Sequence, residues 1–123
     1  MDLDGLIAYT SPKTGVEETF PFDEKTLVWK VMGKMFALSN ITEEVLRVNL
    51  KCDPERALEL REEHSEIIPG WHMNKKHWNT VIIGEGGLEQ SLILSLIDHS
   101  YELVVKSLTK AKKEELAELQ KNT

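Results

Sequence analysis

Residues 69–83, PGWHMNKKHWNTVII, place a polar and aromatic turn directly before a strand, and the rest of the chain is organised around this central run. Two of the three tryptophans, two of the four histidines and a pair of lysines fall within it. A buried strand alternates apolar and polar side chains, whereas this run interposes hydrogen-bond donors and positive charges between Trp71 and Trp78. The pattern therefore predicts either a docking site or a buried polar turn.

Length and cysteine usage bound the class of protein. A chain of 123 residues fits one domain, which would bury about two-thirds of the surface of the unfolded chain. The single cysteine, Cys52, cannot form an intramolecular disulfide, and the first residues lack the basic flank and apolar core of a secretory signal. No apolar run reaches the ~20 residues of a membrane-spanning helix. We therefore expect a cytoplasmic protein with no membrane partner.

Charge argues against a protein that coats nucleic acid. The net charge is -6, whereas neutralisation of phosphates requires a surplus of lysine and arginine on some face. The distribution is uneven, because cations concentrate in residues 25–51 and 106–113 while acids concentrate in residues 2–24 and 53–66. This uneven distribution is compatible with a protein that binds nucleic acid through one basic face.

Hydrophobic periodicity predicts a helix, a hairpin and a third strand in the first half of the chain. Residues 3–9 suit a short amphipathic helix, and the alternation over 27–38, interrupted at Gly33, is typical of a β-hairpin. Residues 45–51 alternate again, so one face of that strand is polar and basic. This polar face carries Arg47, Asn49 and Lys51. The side chains predicted to face the helices are Trp29, Phe36, Leu38, Val48 and Leu50, with Leu92, Leu96 and Val104 packed over them.

The second half of the chain reads mostly as helix. Asp53-Pro54 begins one, with Asp53 as the cap and Pro54 at the first helical position, where its missing N–H costs nothing. A strand over 80–83 precedes a long apolar helix over 88–108. The tail beyond it is charged and has only two leucines to pack. The sequence therefore predicts a single domain over 1–109 and a weakly packed, charged helical tail over 110–123.

Six blocks of the sequence resemble, in order and spacing, those of the YjbR family, also called MmcQ-like proteins. The blocks are GVEE with PF (15–18 and 21–22), KMFA (34–37), VNLKCDP (48–54), PGWHMNK (69–75), HWNTV (77–81) and DHSYELV (98–104). The resemblance spans roughly residues 3–108. It implies an α+β domain in which helices pack on one face of an antiparallel sheet, similar to the CyaY or frataxin-like arrangement and to double-wing DNA-binding modules. The DNA-binding description of the family follows from that likeness of fold and is an analogy.

Three motifs invite a chemical interpretation, and each has a stronger structural one. A metal site of Cys52 with two histidines lacks the close ligand pairs of zinc sites. The glycine-rich stretch 84–87 precedes a helix, but acids flank it where a phosphate would bind. Asp98, His99 and Ser100 are adjacent on a helix and point about 100° apart, so they cannot align as a catalytic triad. The sequence predicts no enzyme, no metal and no cofactor.

Two functions remain open. One is a DNA-binding, or more broadly nucleic-acid or anion-binding, module that uses the polar sheet face and the turn over 71–79, since aromatic side chains beside lysines suit base stacking and phosphate contact. The alternative is a protein–protein interaction module without catalytic activity, since tryptophan is enriched at binding hot spots. The residues predicted for either partner are Arg47, Asn49, Lys51, Trp71, His72, Asn74, Lys75, Lys76, His77 and Trp78.

Overall fold

The computed structural model describes residues 1–84 and 86–122, which form an α+β fold. The elements in chain order are α1 (Leu3–Thr10), β1 (Val16–Thr19), β2 (Thr26–Val31), β3 (Lys34–Asn40), β4 (Arg47–Lys51), α2 (Pro54–Glu63), β5 (Ile67–Pro69), β6 (Trp78–Ile82), α3 (Gln90–Lys106) and α4 (Lys110–Lys121). All six strands form one antiparallel sheet in the order β1-β2-β3-β4-β6-β5. The predicted fold class is confirmed. None of the helices in the described ranges is both long and apolar enough to cross a membrane.

Local signals set the ends of the helices. Asp2 caps α1, where its side chain accepts the N–H of Gly5 at 2.9 Å. Asp53 caps α2, with Pro54 as the first helical residue, as the sequence predicted. Such carboxylates satisfy amide groups that the helix itself leaves unpaired, and their charge favours the positive end of the helix dipole. The cap positions therefore follow from the sequence alone.

The β2–β3 hairpin forms as predicted, with Met32 and Gly33 in its turn at φ 50° and 88°. Two consecutive left-handed residues match the twist of the flanking strands. The register then shifts, because Trp29 pairs with Ala37 whereas the next residue, Lys30, pairs with Met35. Phe36 is therefore an extra residue in β3, which is a β-bulge.

This bulge corrects one prediction about the core. Phe36 and Ala37 both belong to the main core cluster, so the alternation of β3 reverses after them. Leu38 consequently lies in a separate buried cluster, together with Val28 and Trp78, and does not face the helices as predicted. The inserted residue changes the face of every side chain that follows it in the strand.

The main core lies between the sheet and the helices. Trp29, Phe36, Val48 and Leu50 are buried there, as predicted. All four helices contribute buried side chains to this cluster, and none contributes to the cluster around Leu38. The helical residues of the core are Leu6, Ala57, Leu60, Ile93, Leu96, Ile97, Val104 and Leu116, with Leu92 packed at its edge.

A buried serine joins α3 to the sheet beside the bulge. Registered pairing between β3 and β4 covers only two residue pairs and stops at Ala37 and Leu50. The hydroxyl of Ser100 donates to the carbonyl oxygen of Phe36 at 2.5 Å and accepts the N–H of Lys51 at 2.9 Å. The serine is fully buried, and its two hydrogen bonds join β3 to β4 where the strands share no registered pair.

The neighbours of Ser100 bind other parts of the chain. The Nε2 atom of His99 accepts the N–H of Asp53 at 3.2 Å, and burial lowers the pKa of His99, which favours the neutral, accepting form. The carboxylate of Asp98 accepts bonds from the hydroxyl of Tyr9 and the ammonium of Lys13. Asp98, His99 and Ser100 therefore serve structural hydrogen bonding on three sides of α3.

The C-terminal helix packs more firmly than predicted. The long helix ends at Lys106, and α4 begins after the cap Thr109, whose side chain accepts the N–H of Lys112. Leu116 is only 4% exposed and belongs to the main core. Its Cδ1 lies so close to Gly15 that a Cβ there would be 2.7 Å away. The expectation of a weakly packed tail is therefore wrong at Leu116.

The hydroxyl of Ser100 should contribute more to the free energy of unfolding than a serine hydroxyl at an exposed site. Ser100→Ala leaves a carbonyl oxygen and an N–H without partners inside the protein, so we expect a loss of about 2 to 4 kcal/mol in the free energy of unfolding. Urea denaturation of the parent chain and the variant measures this loss in the free energy of unfolding. Ser95→Ala, at an exposed site on the same helix, is the control and should change the free energy by less than about 0.5 kcal/mol. Equal effects of the two substitutions would contradict this role.

The two leucines of α4 make a matched pair for testing its docking. Leu116→Ala should cost about 2 to 5 kcal/mol because it empties a core site, whereas Leu119, which is 44% exposed, should tolerate alanine. Thermal unfolding of both variants provides the comparison. If Leu116→Ala unfolds at the temperature of the parent chain, α4 does not contribute to the core.

Candidate functional site

The face of the sheet that the helices leave uncovered, here called the outer face, is apolar at its centre. Val28, Leu38 and Trp78 are buried in a cluster there, and two methionines, Met35 and Met73, pack against it. This cluster formed because the bulge in β3 turned Leu38 outward. The outer face is thus less polar than the alternation of β4 alone predicted.

A groove of about 500 Å³ opens over this cluster. Two aromatic side chains stand at its rim, since Phe22 is 64% exposed and Trp71 is 54% exposed. The residues that line the groove are Phe22, Thr26, Met35, Leu38, Ser39, Asn40, Glu43, Arg47, Asn49, Trp71, His72 and Met73. A concave, largely apolar surface with a few polar groups is the usual form of a binding site.

The cation of Arg47 already has partners within the protein. Its Nε atom lies 3.3 Å from a carboxylate oxygen of Glu43, an ion pair without hydrogen-bond geometry, since that buried nitrogen has no hydrogen-bond acceptor. The guanidinium also lies 5.4 Å from the centre of the Trp71 ring, within cation–π range. The charge predicted for phosphate contact is therefore shared with an acid and an aromatic ring.

Asn49 positions the loop above the groove. Its side-chain carbonyl accepts the hydroxyl of Thr80 at 2.6 Å, and that hydroxyl accepts the N–H of Trp71 at 3.0 Å. The amide nitrogen of Asn49 donates a longer bond, 3.4 Å, to the carbonyl oxygen of Trp71. These contacts hold the backbone of Trp71 against the outer face. The side-chain amide of Asn49 therefore already has hydrogen-bond partners inside the protein.

The loop over 70–77 is an ordered turn in which close backbone approach requires glycine at its start. Gly70 donates to the carbonyl oxygen of Trp78 at 2.8 Å, and a Cβ on Gly70 would lie 2.7 Å from the Cβ of Trp78. Asn74 closes the other end, where its side chain accepts the N–H of Lys76 at 2.9 Å and its carbonyl accepts the N–H of His77 and of Trp78. His72 adopts φ 60°, a left-handed conformation that is uncommon outside glycine.

Arg61 of α2 is the anchor of this loop, and sequence reasoning missed it. Its Nε donates to the side-chain oxygen of Asn79 at 2.7 Å, and its Nη2 donates to the carbonyl oxygens of Trp78, at 3.3 Å, and Lys75. One signal was present: Arg61 stands four positions after the buried Ala57, hence on the inward side of the helix. A cation placed there needs partners.

The ten predicted residues divide into two groups. Arg47, Asn49, Trp71 and His72 line the groove, whereas Trp78, at 8% exposure, belongs to the adjoining apolar cluster and does not line it. The others do not line it, since they lie around the end of the sheet where Lys51 pairs with Trp78. These are Lys51, Asn74, Lys75, Lys76 and His77. The apolar lining residues, Phe22, Met35, Leu38 and Met73, were missed because they looked like ordinary core or loop.

The residues that the structure describes do not assemble a metal centre. Within residues 1–84 and 86–122, no three His, Cys, Asp or Glu side chains are grouped to hold a metal ion. Cys52 is buried, and burial raises the pKa of its thiol, which disfavours the reactive thiolate. What the groove provides is shape and apolar surface.

Comparison with known proteins points to one family. The family model described as YjbR matches residues 12–103. The uncharacterised protein YjbR of Escherichia coli K12 is 37% identical over 119 residues, which cover 97% of this chain and 100% of the relative. The uncharacterised protein YbdF of Escherichia coli O157:H7 is 42% identical over 95 residues, 77% of each chain.

Solved structures agree with the fold. The crystal structure of Deinococcus radiodurans protein DR2400, family-model domain DUF419, is 45% identical, with a TM-score of 0.87 over 94% of this chain and 87% of that chain. A crystal structure of a Pseudomonas syringae protein, target PsR293, is 30% identical, with a TM-score of 0.71 over 84% of this chain and 98% of that one. These descriptions name no activity, so the groove is the feature from which a function can be inferred.

Removing the anchor should loosen the loop without unfolding the domain. In Arg61→Ala the oxygens of Asn79 and Lys75 lose their donor and the carbonyl of Trp78 keeps only the N–H of Gly70, so the N–H groups of His77 and Trp78 should exchange with solvent about tenfold faster or more. Hydrogen exchange followed by NMR reads these sites individually. Arg56→Ala, on the same helix, is the control, because no side-chain bond joins Arg56 to the described part of the loop. Unchanged exchange in Arg61→Ala would show that the loop does not depend on this anchor.

Proposed function

The chain is a member of the YjbR family, and we propose that this member is a protein–protein interaction module without catalytic activity, whose groove receives an apolar segment of a partner protein. One observation carries the proposal: the outer face holds an apolar cluster that no helix covers, and two exposed aromatic side chains, Phe22 and Trp71, border it. Exposed aromatic side chains that border a concave, mostly apolar groove are typical of interaction sites, because aromatic side chains supply much of the binding energy at such interfaces.

The polar groups of the groove support an apolar ligand. The hydroxyl of Ser39 donates to the carbonyl oxygen of Arg47 at 2.6 Å, and the side-chain oxygen of Asn40 accepts two bonds from Thr42. The amide of Asn49 is likewise used within the protein. Because these groups are already paired, a ligand would gain most from contact with the methionines, Leu38 and the aromatic rim.

A nucleic-acid partner is the second candidate, and one observation favours it. Lys75 and Lys76 are exposed in the same loop as Trp71 and His72, the mixture that single-stranded nucleic acid binds by stacking and phosphate contact. Against it stand the net charge of -6 and the pairing of Arg47 with Glu43. Few cations are then left beside the groove to neutralise phosphates.

Peptide selection tests the proposal. Peptides selected from a random displayed library should be rich in aromatic and aliphatic residues, and their affinity can be measured by fluorescence anisotropy. Phe22→Ala and Trp71→Ala should each weaken binding by about tenfold or more, because both remove apolar contact at the rim. Phe20→Ala is the matched control, since Phe20 is 46% exposed in the same connection between β1 and β2 but does not line the groove.

A parallel titration with single-stranded oligothymidine separates the two candidates. The proposal expects no salt-dependent binding of the oligonucleotide to the parent chain. It fails if selected peptides bind the Phe22→Ala and Trp71→Ala variants as tightly as they bind the parent. Oligonucleotide affinity that falls steeply with salt and disappears in a Lys75→Glu, Lys76→Glu variant would favour nucleic acid instead.

A further inference from the structure

The groove has two ends that can be placed from the strand register. At one end Thr26 pairs with Asn40, and the N–H of Ile41 donates to the carbonyl oxygen of Lys25 at 2.8 Å, so the loops over 20–25 and 41–46 lie side by side. We name this the acidic end. At the other, Lys51 pairs with Trp78 and the N–H of Cys52 donates to the carbonyl oxygen of His77 at 2.8 Å, which brings the loop over 70–77 to that edge. We name this the basic end.

The acidic end carries four exposed carboxylates. They belong to Asp23, Glu24, Glu43 and Glu44. Two cations stand among them, Lys25 and Arg47, of which Arg47 is paired with Glu43. Asp23 accepts the backbone N–H groups of Lys25 and Thr26, which lowers its pKa and keeps it charged. This end is therefore negative on balance.

The basic end carries three cations that face no acid in the sheet register. Lys51 lies on the outer face opposite Trp78, and Lys75 and Lys76 are exposed in the adjoining loop. Other charged residues lie nearby. Lys30 pairs across the strands with Glu17, Lys34 donates to the carbonyl oxygen of Ser107, and Asp53 accepts the N–H of Arg56 at the start of α2.

We infer that the groove binds its partner segment in one orientation, with basic residues over the acidic end, acidic residues over the basic end and apolar residues between them. This inference rests on the proposed function and adds the chemistry of the partner. The distance from Met35 to Asn40 along β3 is five residue steps, or about 17 Å at ~3.3 Å per residue, so about four to six extended residues would span the groove. Charge complementarity of this kind selects the orientation of a ligand more than it adds to affinity.

Two synthetic peptides of identical composition test the orientation. Both have blocked termini and the same four apolar residues, one of them Phe. The dipolar peptide has two lysines at one end and two glutamates at the other, whereas the mixed peptide has one of each at both ends. At low salt the dipolar peptide should bind several-fold to about tenfold more tightly, and the difference should shrink in 0.5 M salt, because exposed charge pairs are weak and screened.

A nitroxide at the lysine end of the dipolar peptide reports its orientation. It should broaden the NMR signals of residues 41–46 and spare those of 74–77. Glu24→Lys with Glu44→Lys, which reverses two exposed charges of the acidic end that do not line the groove, should remove the preference for the dipolar peptide while the mixed peptide binds as before. Circular dichroism and thermal unfolding check that this variant remains folded.

The outcomes separate the orientation from the groove itself. Binding that is lost in Phe22→Ala, with equal affinity for both peptides or broadening at both ends, overturns the orientation and leaves the proposed function standing. Binding of either peptide that ignores both Phe22→Ala and Trp71→Ala, or no binding of either peptide, overturns the proposed function and the orientation with it.

Discussion

The structure depends on the hydroxyl of Ser100, which closes the gap that a β-bulge opens between β3 and β4. One oxygen donates to the carbonyl of Phe36 and accepts the N–H of Lys51 in a fully buried site. A buried carbonyl or amide without a partner costs about as much free energy as a lost hydrogen bond, and often more. Because Ser100 belongs to α3, the same contact sets the height and register of the longest helix on the sheet. The neighbouring His99 fixes the start of α2 through Asp53.

The bulge that Ser100 supports also shapes the groove that is proposed to bind a partner. With Phe36 as the extra residue, both it and Ala37 turn toward the helices, and Leu38 turns outward to join Val28 and Trp78. A regular strand would have placed Leu38 in the core and turned Ala37 outward instead. The apolar floor of the groove is therefore a consequence of how β3 pairs with its neighbours. The bulge in β3 therefore determines both the pairing of this strand and the apolar surface on which the proposed function depends.

The central run contains one buried and one exposed tryptophan. Its second tryptophan, Trp78, is a buried part of the outer face, whereas Trp71 is held out at the rim of the groove. Between them the backbone of 70–77 is fixed by Gly70, Asn74 and the guanidinium of Arg61. A rim aromatic on a rigid loop loses little freedom when a ligand binds, which favours affinity. The arrangement suits recognition, and within the described residues it brings no set of metal ligands together.

The sequence by itself determined the features that depend on interactions between residues close together in the chain. The cap at Asp53, the turn at Gly33 and the alternation of β4 were all predicted, because each depends on backbone conformations within a few residues. The family resemblance supplied the arrangement of sheet and helices.

Tertiary structure alone decided the rest. The face of Leu38 follows from a bulge at Phe36 that Ser100 stabilises from 64 positions away, and the docking of Leu116 depends on the space beside Gly15. Arg47 lies against the ring of Trp71 only because a loop from another part of the chain folds over it. These outcomes are set by contacts between residues far apart in the chain, and no local periodicity encodes which distant atoms meet.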